Sequence, residues 1–106
     1  MSVVGQLHFM SIAKPKSIQE IRDIYRNTDL KRRYGITLRD YQRMLENQGG
    51  SCALCFRKPK RRKLHVDHCH RTGRIRGLLC SRCNQALGAL GDTAVDVLRA
   101  VKYLLG

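Results

Sequence analysis

Two Cys-x-x-Cys pairs, Cys52/Cys55 and Cys80/Cys83, stand 24 residues apart in a chain of 106. The two-residue spacing turns both sulfurs of a pair toward one tetrahedral ion, and two such knuckles close a four-thiolate structural zinc site with no open position. The gap is longer than in an ordinary zinc ribbon, so something is built between the knuckles. A chain this short forms one domain, or one small core with an appended segment. For such a core, zinc binding supplies folding free energy on the order of 10 kcal/mol or more. Disulfides are the competing use of the cysteines. Residues 1–13 lack the basic start and small-residue cleavage site of a secretory signal, which predicts an intracellular, cytoplasmic protein, where close pairs bind metal more often than they oxidise. Cys69 is left over from the pairing.

Charge comes next, because it says what such a core would meet. The chain carries 21 Lys and Arg against 8 Asp and Glu, a formal charge of +13. That excess predicts an acidic partner such as nucleic acid. No segment approaches the run of about 18 apolar residues that a membrane span needs. Residues 56–76 are the most basic stretch, with Arg57, Lys58, Lys60, Arg61, Arg62, Lys63, Arg71, Arg74 and Arg76 against Asp67 alone. Residues 14–43 are basic too, and Lys31, Arg32 and Arg33, placed just before a second helix, form another candidate phosphate-binding patch. Residues 92–106 are neutral. No aromatic residues alternate with the bases, so stacking on single strands is not favoured.

Helical signals lie at both ends. Ile18, Ile21 and Tyr25 predict a short amphipathic helix that Asn27 and Thr28 end. Thr37 and Asp40 open a second, with apolar face Leu38, Tyr41, Met44 and Leu45, and Gly49-Gly50 close it. Thr93 and Asp96 open the last, which runs to Leu105. Between them, residues 63–68 and 74–79 read as two short strands, and Cys83-Asn84-Gln85 as the opening of a short helix. The division expected is an N-terminal basic helical segment over 1–48 that contacts DNA or a second subunit, a zinc-bound strand-strand-helix core over 49–91, and a C-terminal helix over 92–106. The last helix is apolar over more than one stripe, so it either packs on the core or pairs with another subunit in a homodimer.

The insert between the knuckles holds His65-Val66-Asp67-His68-Cys69-His70. In an extended strand His68 and His70 share one face, and Asp67 and Cys69 the other. A carboxylate holds a hard divalent cation through oxygen, and a neutral imidazole takes a proton from water near pH 7. A second zinc site, or a run of solvated histidines, would use the same residues.

Cys52-x-x-Cys55, His65-Val66-Asp67-His68-Cys69-His70-Arg71-Thr72-Gly73 and Arg76-Gly77-Leu78-Leu79-Cys80-x-x-Cys83-Asn84 together resemble the phage recombination endonuclease VII family of HNH, or ββα-metal (His-Me finger), nucleases. The likeness runs from about Tyr34 to Asp92. It implies a small α+β fold, a zinc-stabilised ββα-metal core flanked by N-terminal helices and a C-terminal helix. It further implies that Asp67 and Asn84 hold one Mg²⁺ or Mn²⁺, that His68 is the general base, and that His70 and His65 orient the base or contact phosphate. Cys52, Cys55, Cys80 and Cys83 are the implied ligands of structural zinc. The family usually has an aspartate where this chain has Cys69. The activity implied is Mg²⁺-dependent cleavage of DNA phosphodiester bonds, above all in branched DNA such as Holliday junctions, in the host cytoplasm if a phage encodes the chain. The competing readings are an HNH nicking, homing or packaging-type endonuclease on duplex DNA, and a non-catalytic zinc-ribbon DNA-binding module. A purely structural ribbon has no use for Asp67, His68 and Asn84.

Overall fold

The computed structural model describes residues 17–106. The apolar start over 1–13 and Lys14 lie outside them. Four helices and two strands follow in the order α1 (Ile18–Tyr34), α2 (Leu38–Asn47), β1 (His65–His68), β2 (Ile75–Leu79), α3 (Ser81–Leu90) and α4 (Ala94–Leu105). This is the small α+β arrangement expected, with strand, strand and helix in succession. The chain divides into two compact units that part between Leu38 and Arg39.

In the first unit, α1 begins where the Ser17 hydroxyl accepts the Glu20 N–H at 3.1 Å, so a side chain satisfies one of the donors a helix start leaves open. The expected stop at Asn27 and Thr28 does not occur. Thr28 turns its hydroxyl back onto the Ile24 carbonyl at 2.9 Å and stays helical. Asn27 spends its side-chain oxygen on the N–H of Leu38 at 2.8 Å, at the start of α2. The helix continues to Tyr34 and stops at Gly35, whose φ of 73° no β-carbon opposes. Lys31, Arg32 and Arg33 therefore form the last turn of α1, where cations meet the negative end of the helix dipole, instead of a linker before α2.

The second unit holds the sheet. α2 buries Tyr41, whose hydroxyl donates to the Leu64 carbonyl at 2.6 Å and so fixes the approach to β1. Gly49 and Gly50, with φ of 64° and 74°, end the helix as expected. The side chain of Gln48 then acts as a strand. Its Oε1 accepts the Leu78 N–H at 3.0 Å, and its Nε2 donates to the carbonyls of Leu78 at 3.0 Å and Ser51 at 2.8 Å.

β1 and β2 pair antiparallel, with His65 opposite Leu79, Val66 opposite Leu78 and Asp67 opposite Gly77. The next pair joins His68 to Ile75, so Arg76 is an extra residue in a β-bulge. The strands are shorter than 63–68 and 74–79, and the chain turns at Cys69. There the Cys69 N–H bonds the Arg74 carbonyl at 2.8 Å and the Gly73 N–H bonds the Cys69 carbonyl at 2.7 Å. The strand alternation expected to reach His70 therefore stops at His68, and His70 sits in the turn. α3 starts at Ser81, two residues before Cys83, because Cys80 is its cap. It packs on both strands and on α4. Val66, Leu78, Leu79, Leu64 and Tyr41 are buried together with Cys52 and Cys83, Leu78 completely. Thr93 caps α4, accepting the Asp96 N–H at 3.1 Å. No residue of α4 is buried, and Val95, Leu98, Leu104 and Leu105 are exposed.

Candidate metal centre and active site

The four predicted metal ligands converge. The sulfurs of Cys52, Cys55, Cys80 and Cys83 all lie within 4.8 Å of one another, and those of Cys55 and Cys80 are 3.9 Å apart. Tetrahedral Zn–S bonds of about 2.3 Å place sulfurs roughly 3.8 Å apart. The set is positioned to bind a metal. Local backbone holds it there. The first knuckle is closed by the Cys52 N–H on the Arg57 carbonyl at 2.9 Å and the Phe56 N–H on the Cys52 carbonyl at 3.0 Å, with Phe56 in the left-handed region at φ 63°. The second knuckle is the first turn of α3, where the Cys80 sulfur accepts the Cys83 N–H at 3.5 Å.

The sulfurs are not alike. Burial opposes ionisation of Cys52, but backbone N–H groups around its sulfur, with a sulfur neighbour, bring its pKa down to about 6. Burial, reinforced by the other three sulfurs, pushes Cys83 up to about 12. Near pH 7 the cluster thus holds one thiolate readily and resists a second at Cys83. A divalent cation overcomes that resistance and releases protons as it binds.

At the other end of the hairpin lies a second polar cluster. Asp67 is 7% exposed on β1. Arg76 grips both its oxygens, Nε to Oδ2 at 2.8 Å and NH2 to Oδ1 at 3.1 Å. The same guanidinium donates to Asp92 Oδ1 at 2.6 Å and to the Asp92 carbonyl at 3.3 Å. Hydrogen bonds to Asp67 first, and then to Asp92, raise the Arg76 pKa still further above its ordinary value, so this cation is permanent. Arg76, expected to contact DNA, is here committed to two carboxylates, because the bulge turns its side chain onto the neighbouring strand.

No sequence motif singles out Asp92. It follows Gly91 at the end of α3 and has φ 65°, a region Asp tolerates better than most residues. A side chain at position 91 would collide with the Asp96 carboxylate, so glycine there lets the chain turn and bring Asp92 back over the hairpin. The only sequence signal was an acid wedged between a C-capping glycine and an N-capping threonine.

The histidines spread around this cluster. The rings of His68 and His70 lie 4.8 Å apart at 50°. His70 Nε2 is 3.8 Å from Asp92 Oδ2. His65 is exposed at the start of β1, opposite Leu79. Asn84 sits half-buried in the first turn of α3, its backbone N–H on the Cys80 carbonyl at 3.0 Å. A cavity of about 360 Å³ reaches from Asp67 and Arg76 to Leu54, Leu87 and Val97, and a groove of about 520 Å³ takes in Cys69, His70 and Arg71. Hydrogen bonds from Thr72, through its side chain and then its backbone, lower the Cys69 thiol to about 7.

Lys58, Lys60, Arg61, Arg62 and Lys63 are all exposed on the irregular segment before β1, and Arg71 and Arg74 on the hairpin turn. In the first unit Arg32 and Arg33 reach Asp29 at 2.9 and 3.6 Å, and Arg33 lies 5.7 Å from the Tyr34 ring centre. Among the described residues no helix is long and apolar enough to cross a membrane.

The recombination endonuclease VII family model matches residues 27–106. The chain belongs to this family. Among curated proteins, the Gene 59 protein of Mycobacterium phage D29 is 45% identical over 73 residues, which is 67% of this chain and 44% of that protein. The Gene 59 protein of Mycobacterium phage L5 is 47% identical over 74 residues, 68% of this chain and 45% of that protein. The chain thus spans under half the length of these curated relatives. No solved structure matches it. The family match covers both knuckles, the hairpin and all of α3 and α4.

Proposed function

We propose that this chain is a metal-dependent endodeoxyribonuclease that hydrolyses phosphodiester bonds, with branched DNA such as a Holliday junction as its preferred substrate. The observation that carries this reading is the buried Asp67 carboxylate, set beside the paired His68 and His70 rings within a chain of the endonuclease VII family. In this reading Asp67 and Asn84 hold a divalent cation, Mg²⁺ or Mn²⁺. A buried carboxylate whose two oxygens already face a positive group suits a cation, and Asn84 adds a neutral oxygen from the adjacent helix. When bound, that ion polarises the scissile phosphate and stabilises the departing oxygen.

His68 takes the proton from the attacking water, as an imidazole does near neutral pH. His70, in the turn, and His65, at the start of β1, position the phosphate or the base. The exposed bases at Lys58, Lys60, Arg61, Arg62, Lys63, Arg71 and Arg74 hold the DNA backbone, with Lys31, Arg32 and Arg33 as a second grip. The four cysteines take zinc, whose tetrahedral thiolate preference matches their closed arrangement. The uncovered apolar residues of α4 pair with a second copy, giving two active sites that can cut opposing strands of a junction.

A labelled four-way junction and a matched linear duplex, each incubated with the protein and Mg²⁺, test this reading. The junction is expected to be cut faster, and His68→Ala and Asn84→Ala to slow cutting by about 10²-fold or more. Equal cutting of both DNAs removes the branch preference, and undiminished cutting by His68→Ala removes the mechanism.

A further inference from the structure

The nuclease reading needs the oxygens of Asp67, and Arg76 holds both of them. Each Asp67 oxygen accepts one N–H and keeps a lone pair for a metal, but a divalent cation about 2.0–2.1 Å from that oxygen stands beside the guanidinium, and the two positive charges repel. Arg76 and the ion therefore compete for one carboxylate, and the surroundings show which can yield. Arg76 is the bulge residue, the one position of β2 that is not tied to a partner residue of β1. About a third of that side chain is exposed, against 9% for Asp67. Its other hydrogen bonds go to Asp92, by side chain and by carbonyl, and to the His68 carbonyl at 3.3 Å.

We propose that Arg76 is a displaceable latch on the Asp67 carboxylate, and that Asp92 is the berth that keeps the guanidinium when a divalent cation takes its place. This inference rests on the reading of Asp67 as a cation ligand. In the latched state a bidentate charge-assisted pair satisfies the buried carboxylate and holds its orientation. In the open state Arg76 gives up Asp67 and keeps the shorter contact at Asp92, and the cation assumes the charge that Arg76 supplied. No buried charge is left alone in either state. Asp92 also lies 3.8 Å from His70, so opening the latch changes the field at one of the histidines beside the reaction centre.

The test follows the Arg76 Nε–H resonance of the zinc-loaded full chain, assigned by through-bond correlation, as Mg²⁺ is added. Mn²⁺ affinity is measured in parallel by the loss of the free-ion electron paramagnetic signal, for the wild type, Arg76→Lys and Asp92→Asn. The Arg76 signal is expected to move with Mg²⁺. Arg76→Lys, which lacks the planar fork, is expected to bind Mn²⁺ about tenfold more tightly, the worth of one charge-assisted hydrogen bond. Asp92→Asn, which leaves Arg76 with Asp67 as its one acidic partner, is expected to bind about tenfold more weakly. An Arg76 signal unmoved at saturating Mg²⁺, or weaker Mn²⁺ binding by Arg76→Lys, overturns the latch. Should Arg76→Lys fail to fold, the wild-type titration and Asp92→Asn decide alone. DNA cleavage with Mg²⁺ while the Arg76 signal stays fixed overturns the latch and leaves the nuclease standing. Failure of all three proteins both to bind Mn²⁺ and to cut DNA overturns both.

Discussion

The two ends of the hairpin carry polar clusters built on different terms. Beside the open end, the four sulfurs meet one another and backbone N–H groups. Toward the turn, two carboxylates share a guanidinium that belongs to the chain. The thiol cluster is positioned to bind a metal, and four thiolates within 4.8 Å of one another would repel without a cation among them. The carboxylate cluster is already neutralised to within one charge. The first is suited to holding a metal permanently, the second to exchanging one cation for another.

That contrast can be broken at the sulfur end with the largest effect. Chelation, or Cys83→Ser, is expected to unfold residues 39–106, since structural zinc contributes on the order of 10 kcal/mol in small domains, more than such a core can spare. Circular dichroism with zinc analysis checks it, and a chain that stays folded without metal refutes it. Metal capture at pH 7 is expected to release protons, because Cys83 stays protonated until its pKa of about 12. Metal affinity is expected to fall more steeply with pH below about 6, where Cys52 of the metal-free chain takes up a proton.

At the carboxylate end the effects are smaller. Arg76→Met leaves Asp67 buried and unpaired, a loss of about 3 kcal/mol, at the low end for buried pairs because Arg76 is partly exposed. Adding Asp67→Asn is expected to restore most of it, and a denaturant-melting double-mutant cycle measures the coupling. If the two losses simply add, the pair is not a unit. Gln48→Ala, which leaves the Leu78 N–H without its side-chain partner, is expected to cost about 1–2 kcal/mol and to speed exchange of the Leu78 amide. The smallest effect concerns Cys69, which lies outside the metal set. Its alkylation rate is expected to rise with pH to a plateau through a midpoint of about 7. Thr72→Val is expected to move that midpoint up toward an ordinary thiol. An unmoved midpoint assigns the lowered value to something other than Thr72.

The contrast also separates what the sequence could and could not announce. The sulfur cluster was legible because its geometry is local: a two-residue spacing is itself the knuckle. The Thr93 cap and the Gly49-Gly50 stop were legible for the same reason. Arg76 was not. Its partners stand 9 and 16 residues away, and one bulged residue decides whether its side chain meets Asp67 or solvent. Read as one more base in a basic stretch, it looked like a DNA contact. α1 runs past Asn27 and Thr28 because the Thr28 hydroxyl bonds the Ile24 carbonyl without breaking the helix and Asn27 does not compete for its own backbone. Here Asn27 caps the next helix instead.

Gln48 has a last consequence, for the protein among its neighbours. A two-stranded sheet exposes two edges, and an open edge is a template on which another chain can add a strand. By engaging both the N–H and the carbonyl of Leu78, one amide side chain stops that template at its most buried point, and the Ala53 N–H at 3.1 Å doubles the block on the same carbonyl. In the proposed nuclease reading the protein gathers along a polyanion, and this block keeps neighbouring copies from adding strand to strand. In that reading, crowding on DNA is where loss of this single amide is expected to be felt first, as fibres or precipitate.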